Sequence, residues 1–271
     1  MSITNTLRLV KKRLTGTSKP ALITPTQTPK TFSGYCFVAG MHRSGTTLVE
    51  HLLAARADVA TLRANVPENE GQHLQDVVPA GRDHGGPGRF AFSPQMHTAP
   101  VDAQSAQAQR LRLLQCWTPW LADDGQFLLE KSPPNLVRIP WLRSIFPGAR
   151  FLIVTRHPVA NAAATQKWSK TSIPELMLHW HVAHSAALQA AKAAQDCCFL
   201  RYEDLCDDPT GSIDRVIQKL ELPLRQEERT LEPRFMEIKN SNEAYLADQP
   251  DRNWGPGAWD HLGYGSDGQH L

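Results

Sequence analysis

The sequence predicts an α/β chain folded in three layers around a central, mostly parallel sheet of the P-loop type. Three observations carry that prediction. From Tyr35 onward, short apolar runs alternate with stretches of helical periodicity, the pattern of successive βα units. The first run leads into Gly40-Met41-His42-Arg43-Ser44-Gly45-Thr46-Thr47, a glycine-bounded turn between a strand and a helix. Another run, Arg150 to Thr155, is apolar and β-branched and ends in Arg156-His157-Pro158.

Taken in order, Tyr35 to Ala39 forms the first strand. The glycine turn then opens a helix over 46–57, with Leu48, His51, Leu52 and Ala55 on one face. Phe127 to Glu130 is a second strand and Arg150 to Thr155 a third. Pro158 suits the first turn of a helix reaching Trp168, because its φ is already helical and its missing N–H is no loss there. Between Pro174 and Ala194, Leu176, Met177, Trp180, Ala183, Ala187 and Ala190 recur at helical spacing and mark a packing helix. Cys197 to Tyr202 gives a further strand, and Asp208-Pro209 starts a helix toward Leu220. Two stretches resist regular structure. Pro79 to Pro100 carries Gly85-Gly86-Pro87-Gly88, and a loop this long inside a compact domain is usually functional or disordered. From Asn253, Trp254, Trp259 and Tyr264 stand among glycines, which predicts a segment that folds over something.

A chain of 271 residues suits one large domain. Residues 1–31 read as a mobile leader, with a basic stretch from Leu7 to Leu14 and a Thr- and Pro-rich continuation, and 32–271 as the domain. Net charge is +2 with 21% charged residues. No strong field therefore points to nucleic acid, a membrane surface or an acidic polymer, and an anion must be held by local geometry. The five cysteines form no CxxC pair, and their odd count argues against a disulfide framework and for a reducing compartment. No apolar run approaches the roughly 18 residues of a membrane span, and no secretory signal opens the chain, so a cytoplasmic location is expected. His179, His181 and His184 share the packing helix without a third ligand at suggestive spacing, so no metal site is assigned. Cys197 and Cys198, adjacent in a strand, point to opposite faces and cannot chelate together.

The chemistry concentrates in the glycine turn. Backbone N–H groups turned inward by glycine, together with the helix N-terminus behind them, make an anion cradle. The G-x4-G spacing matches the nucleotide-binding P-loop, but Thr46 stands where an NTPase has lysine. The cation has moved into the loop, to Arg43, whose planar fork can bridge two oxygens. Thr46 and Thr47 add two hydroxyls. A generic strand-to-helix turn is the plain alternative.

Here the sequence resembles the sulfotransferases that use 3'-phosphoadenosine 5'-phosphosulfate (PAPS), and the RSGTT loop is similar to that of the tyrosylprotein sulfotransferase subgroup. The resemblance implies that His42, Arg43, Ser44, Gly45, Thr46 and Thr47 hold the 5'-phosphosulfate. Phe146 to Ala160 is similar to the family's strand-turn-helix for the 3'-phosphate, which implies that Arg156 binds there. Ala164 stands where the family places a serine, so Thr165, one residue on, is carried instead. Arg201-Tyr202-Glu203-Asp204-Leu205 resembles a third element, whose tyrosine, here Tyr202, lines the nucleotide site. Lys131 resembles a lysine that stabilises the transferring group; the alternative is an exposed lysine paired with Glu130 or another acid. The general base does not carry over by position, where this chain has Arg63-Ala64. Slightly later come Glu68, Glu70 and His73, and Glu70 is preferred, with His73 second, because a carboxylate in a partly dry site can be raised toward neutrality and histidine titrates there unassisted.

The implied activity is sulfuryl transfer from PAPS, with no metal required, to a hydroxyl-bearing acceptor that the sequence does not identify. The acceptor pocket is expected from the 79–100 loop and the tail. The alternatives are a P-loop kinase using Mg-ATP and a non-catalytic nucleotide-binding module. The sequence leaves the oligomeric state open.

Overall fold

The computed structural model describes residues 28–265 apart from 193 and 251. The basic stretch and most of the expected leader lie outside the described residues. Five strands, β1 (Gly34–Gly40), β2 (Val59–Ala60), β3 (Phe127–Lys131), β4 (Arg150–Thr155) and β5 (Cys197–Arg201), form one sheet in the order β2-β3-β1-β4-β5. Every neighbouring pair is parallel. Parallel strands are covered on both faces, which is why they read as continuous apolar runs and not as alternation. Cys36 to Ala39 and Phe151 to Val154 are all essentially inaccessible.

The helices are α1 (Thr46–Arg56), α2 (Ala103–Trp117), α3 (Ile139–Ile145), α4 (Pro158–Ser169), α5 (Ile173–Ala191), α6 (Tyr202–Asp207), α7 (Pro209–Lys219) and α8 (Asn242–Leu246). One face of the sheet, through Phe37, Ala39, Phe151 and Ile153, packs against residues of α2, α3, α4 and α5. The other, through Cys36, Val38, Leu152 and Val154, packs against α1 and α7. This is the expected three-layer arrangement, with Cys197 in one layer and Cys198 against the other. All five cysteines are free thiols.

Local chemistry sets the helix starts. Pro158 occupies the first turn of α4, where the His157 ring accepts the Ala160 N–H. Ser172 and Glu175 close a capping box on α5, and the Asp208 side chain caps α7. Three expectations need correction. The stripe of α1 buried against the sheet runs through Val49, Leu52 and Leu53, while the expected Leu48 and His51 lie on the flank, where His51 stacks on Phe235 with 4.1 Å between ring centres. The strand expected to include Tyr202 ends at Arg201, and Tyr202 begins α6. The 79–100 stretch is a chain of short 3-10 turns, not a structureless loop.

The tail does fold over something. Trp259, Leu262 and Tyr264 enter the main core, where Trp259 and Tyr264 each lie 6.1 Å from the fully buried Trp180 of α5. The three helix histidines serve packing: His179 accepts the Ala91 N–H, His184 stacks on Trp180 at 3.8 Å, and His181 accepts the Ala258 N–H. Among the described residues, no helix is long and apolar enough to cross a membrane.

Strand order places the site. β1 and β4 are neighbours, with Gly40 opposite Val154, so the loop after β1 and the Arg156 turn after β4 emerge side by side at one edge of the sheet. The chain leaves β1 toward β2 and β3 on one side and leaves β4 toward β5 on the other. Such a switch in direction opens a crevice at the carboxyl ends of the strands.

Candidate active site

The glycine loop is built around two left-handed residues, Arg43 (φ 69°) and Gly45 (φ 96°). The Ser44 N–H and hydroxyl both donate to the Met41 carbonyl, at 3.1 and 2.7 Å, which tightens the turn. A Cβ on Gly45 would fall 2.8 Å from the Tyr202 ring, so only glycine admits this approach. α1 starts directly behind, directing its first N–H groups and the positive end of its dipole into the crevice.

A pocket of about 500 Å³ occupies the crevice, and His42, Arg43, Gly45, Thr46, Thr47, Glu68, Glu70, Arg156, Thr165 and Tyr202 line it. Most of the residues singled out from sequence therefore meet in one place. The decisive contact is between the two arginine turns: Arg156 donates from a terminal nitrogen to the Arg43 carbonyl at 2.7 Å. Arg156 is almost fully buried, its guanidinium 4.6 Å from the Tyr202 ring and 5.3 Å from that of Tyr245. Burial pushes this guanidinium below its usual value, and the charge of Arg43 works in the same direction. Thr165 and Asn161, one turn apart on α4, both donate to the His42 carbonyl, at 3.4 and 3.0 Å, and so fix the loop from below.

Lys131 is the last residue of β3, not a residue beyond it, and its side chain is 1% exposed. Its ammonium donates to the Glu68 carbonyl at 2.7 Å and stands 3.6 Å from a Glu70 oxygen. Neighbouring strand residues face opposite ways, so Glu130 cannot pair with it. Glu130 instead accepts N–H groups from Gly71 and Asn135 on its own side, and burial pushes its carboxyl up. The Glu68-Asn69 turn is left-handed at both residues, held by the Lys131 contact and by Asn69 accepting the Ala64 N–H.

The three candidate bases differ in place. Glu70 is buried yet lines the pocket. His73 lies behind it, a ring nitrogen 3.6 Å from the second Glu70 oxygen, and is not among the lining residues. Glu68 is exposed and accepts the Thr47 hydroxyl at 3.2 Å. Glu70 is not raised, contrary to expectation. Burial alone would raise it, but His73, Lys131 and His42 outweigh that and hold it below the ordinary glutamate range. Burial also lowers His42, against the pull of the Glu70 charge.

The stretches expected to build the acceptor pocket contribute little to this one. Of the 79–100 stretch only Pro87 reaches the pocket, and among the described residues of the tail beyond Asn253 none lines it. The wall is completed by Trp168, Pro133 and the segment Arg234, Phe235, Glu237, Ile238, Lys239 and Ser241, which sequence reasoning missed. That segment has no glycine turn or repeated spacing to reveal it. Asn161 was missed as well, and it could have been found as the polar residue one turn before Thr165 on the same face of α4. A larger open cleft of about 850 Å³ sits at the other end of the strands, where Arg143 and Arg150 are already paired, each at 2.7 Å, with Asp196 and Glu221. Among the described residues, no group of three or more histidine, cysteine or carboxylate side chains could hold a metal ion.

The profile of the sulfotransferase family matches residues 36–226. No curated protein matches the sequence. Among solved structures, a sulfotransferase from Mycobacterium tuberculosis aligns at 16% identity and TM-score 0.51, over 80% of this chain and 76% of that one. The sulfotransferase domain of a Synechococcus olefin synthase aligns at 16% identity and TM-score 0.49, over 83% and 92%. A sulfotransferase from Mycobacterium avium aligns at 16% identity and TM-score 0.49, over 99% and 76%.

Proposed function

The chain belongs to the sulfotransferase family, and from that premise we propose that it transfers the sulfuryl group of PAPS to an acceptor hydroxyl. One observation carries the reading: the cationic turns after β1 and β4, 113 positions apart in sequence, join through the 2.7 Å contact between Arg156 and the Arg43 carbonyl. Two anion sites on one pocket wall fit a nucleotide with phosphate at both ends.

In this reading Arg43, Ser44, Gly45, Thr46 and Thr47, with the N-terminus of α1, hold the phosphosulfate, beside His42. Arg156 meets the 3'-phosphate, Tyr202 lines the adenosine side, and Thr165 supports the loop. PAPS supplies the sulfuryl group: the acceptor oxygen bonds to sulfur as the sulfur–phosphate oxygen bond breaks, its electron pair staying on the phosphate. The chain provides the rest. Lys131, like His73, stands behind the pocket lining and supplies positive charge toward the leaving oxygen from a dry position, where it acts at low dielectric. Glu70, ionised and ready, takes the acceptor proton, with His73 holding its other oxygen. Arg43 anchors the group in line. Residues 32–271 form the catalytic domain in this proposal, in the cytoplasm.

The test is binding and transfer together. Calorimetric titration should give tight binding of adenosine 3',5'-bisphosphate without Mg²⁺ and little of Mg-ATP. Incubation of labelled PAPS with phenols, glycans and peptides should then add one sulfate, read by mass spectrometry. A preference for Mg-ATP would overturn the reading in favour of a kinase.

A further inference from the structure

Glu203 begins the acidic pair of the Arg201 to Leu205 element, yet nothing in the proposed chemistry uses it. It is 3% exposed and bridges three segments. One oxygen accepts the His157 N–H at 2.8 Å and the Asn242 side-chain NH₂ at 2.6 Å, and the other meets the Tyr264 hydroxyl at 2.9 Å. Asn242, itself buried, turns its carbonyl to the Arg156 Nε at 2.8 Å. The geometry points to Glu203 as a positioning residue for Arg156, acting through the Asn242 amide. The inference rests on the proposal that Arg156 meets the 3'-phosphate.

The argument is one of donors and acceptors. A backbone N–H can only donate and a carboxylate oxygen can only accept, so the Glu203 oxygen that takes the His157 N–H has no donor of its own to offer Asn242. The Asn242 amide must therefore offer that oxygen its NH₂ side. Its carbonyl is then left facing a guanidinium that can only donate. Reversed, the amide would set oxygen against oxygen and N–H against N–H, losing both contacts. Glu203 thus decides which end of Asn242 the arginine meets. Arg156 has five N–H groups. Nε goes to Asn242, one terminal nitrogen to the Arg43 carbonyl, and the other to the Ser241 hydroxyl at 3.0 Å. One N–H on each terminal nitrogen remains for an anion in the pocket. The Tyr202 and Tyr245 rings confine the plane of the fork.

The experiment titrates adenosine 3',5'-bisphosphate and adenosine 5'-monophosphate into the full chain and its variants, and takes the ratio of dissociation constants as the 3'-phosphate contribution. Asn242→Ala and Glu203→Ala should each lower bisphosphate affinity about tenfold while changing monophosphate affinity less than about twofold. Glu203→Gln, whose carbonyl still accepts both N–H groups, should restore most of the ratio. Tyr264→Phe removes the partner of the other oxygen, together with the Thr155 contact at 3.1 Å, and leaves the Asn242 contact in place, so it should lower thermal stability and leave the ratio alone. Equal losses for both nucleotides in Asn242→Ala overturn the positioning role. If Glu203→Ala does not fold, Asn242→Ala decides by itself, checked by its melting temperature. A separate arm tests the premise: if Arg156→Ala leaves the ratio unchanged, the assignment of Arg156 fails, whatever Asn242 does.

Discussion

Replacing Lys131 with methionine perturbs chemistry and packing at once. Methionine keeps most of the buried stem but removes the charge, the donor to the Glu68 carbonyl at 2.7 Å and the partner of Glu70 at 3.6 Å. Breaking a buried ion pair from one side destabilises by about 3–5 kcal/mol, because an uncompensated charge stays inside. Gln72 and His73 still face the other Glu70 oxygen, which places the loss at the lower end, about 3 kcal/mol. At this chain length that lowers the melting temperature by roughly 6–12 °C. Glu70→Gln strands Lys131 in the converse way. The double variant leaves neither charge, so it should lose less than the sum of the singles, with a coupling of about 2 kcal/mol by denaturant unfolding. Catalysis should not recover with stability. Sulfate transfer under single-turnover conditions should fall about 10²- to 10³-fold in Lys131→Met, as when one preorganised donor to a developing charge is lost. Bisphosphate affinity should stay within a few-fold of wild type, since the glycine loop and Arg156 are intact. Strictly additive stabilities would refute the pair, and a full rate with weakened nucleotide binding would make Lys131 a ground-state ligand.

Other measurements test other parts of the site. Burial pushes Glu70 up, but the His73 ring and the Lys131 charge outweigh it and hold its carboxyl below the ordinary 4.5, so in the proposed role it serves as a base down to that lowered value and is lost only as pH falls through it. Single-turnover rates should therefore stay level from neutrality to pH 4.5; an acid limb near about 6.5 would assign the proton to an imidazole. His179 and His184 are lowered by burial from 6.5 to about 3 and about 4. The unfolded chain takes those protons first, so their stability contribution is complete above pH 6.5 and falls by about 1.4 kcal/mol per histidine for each unit below it, until the folded values are reached. Urea midpoints that do not change between pH 7.5 and 5 would refute that burial. In Gly45→Ala, the left-handed backbone adds about 1–2 kcal/mol of strain, and the new Cβ meets the Tyr202 ring at 2.8 Å. The melting temperature should drop and bisphosphate affinity weaken, whereas wild-type affinity would show that Tyr202 does not line the adenosine.

Legibility followed burial. β1, β3, β4 and β5 could be read because strands covered on both faces are apolar throughout. β2 escaped because Val59–Ala60 is a two-residue edge strand. α2 escaped for another reason. It buries only Ala106, Leu113, Leu114, Cys116 and Trp117 out of fifteen residues, so its apolar face is too sparse for periodicity to stand out. Its start was marked all the same, since Asp102 accepts the N–H groups of Gln104 and Ser105, as an N-cap does.

The site divides in the same way, by the range of the forces that make it. Arg43 and Arg156 could be read singly, because each anion turn is made by a few consecutive residues at a strand end. That they share a pocket depends on β1 lying beside β4, a pairing between segments 110 residues apart that no local pattern encodes. The segment over 234–241 is less legible still. It is held by contacts such as the Tyr202 hydroxyl to the Lys239 carbonyl at 2.8 Å and the Arg156 guanidinium to the Ser241 hydroxyl at 3.0 Å, in which a polar chain is ordered by partners far away in sequence. Glu203 combines both cases. Its motif is local, but its partners His157, Asn242 and Tyr264 come from three places in the chain. An acidic side chain that looks like a common strand-end residue acquires a task only when the sheet brings those partners to it.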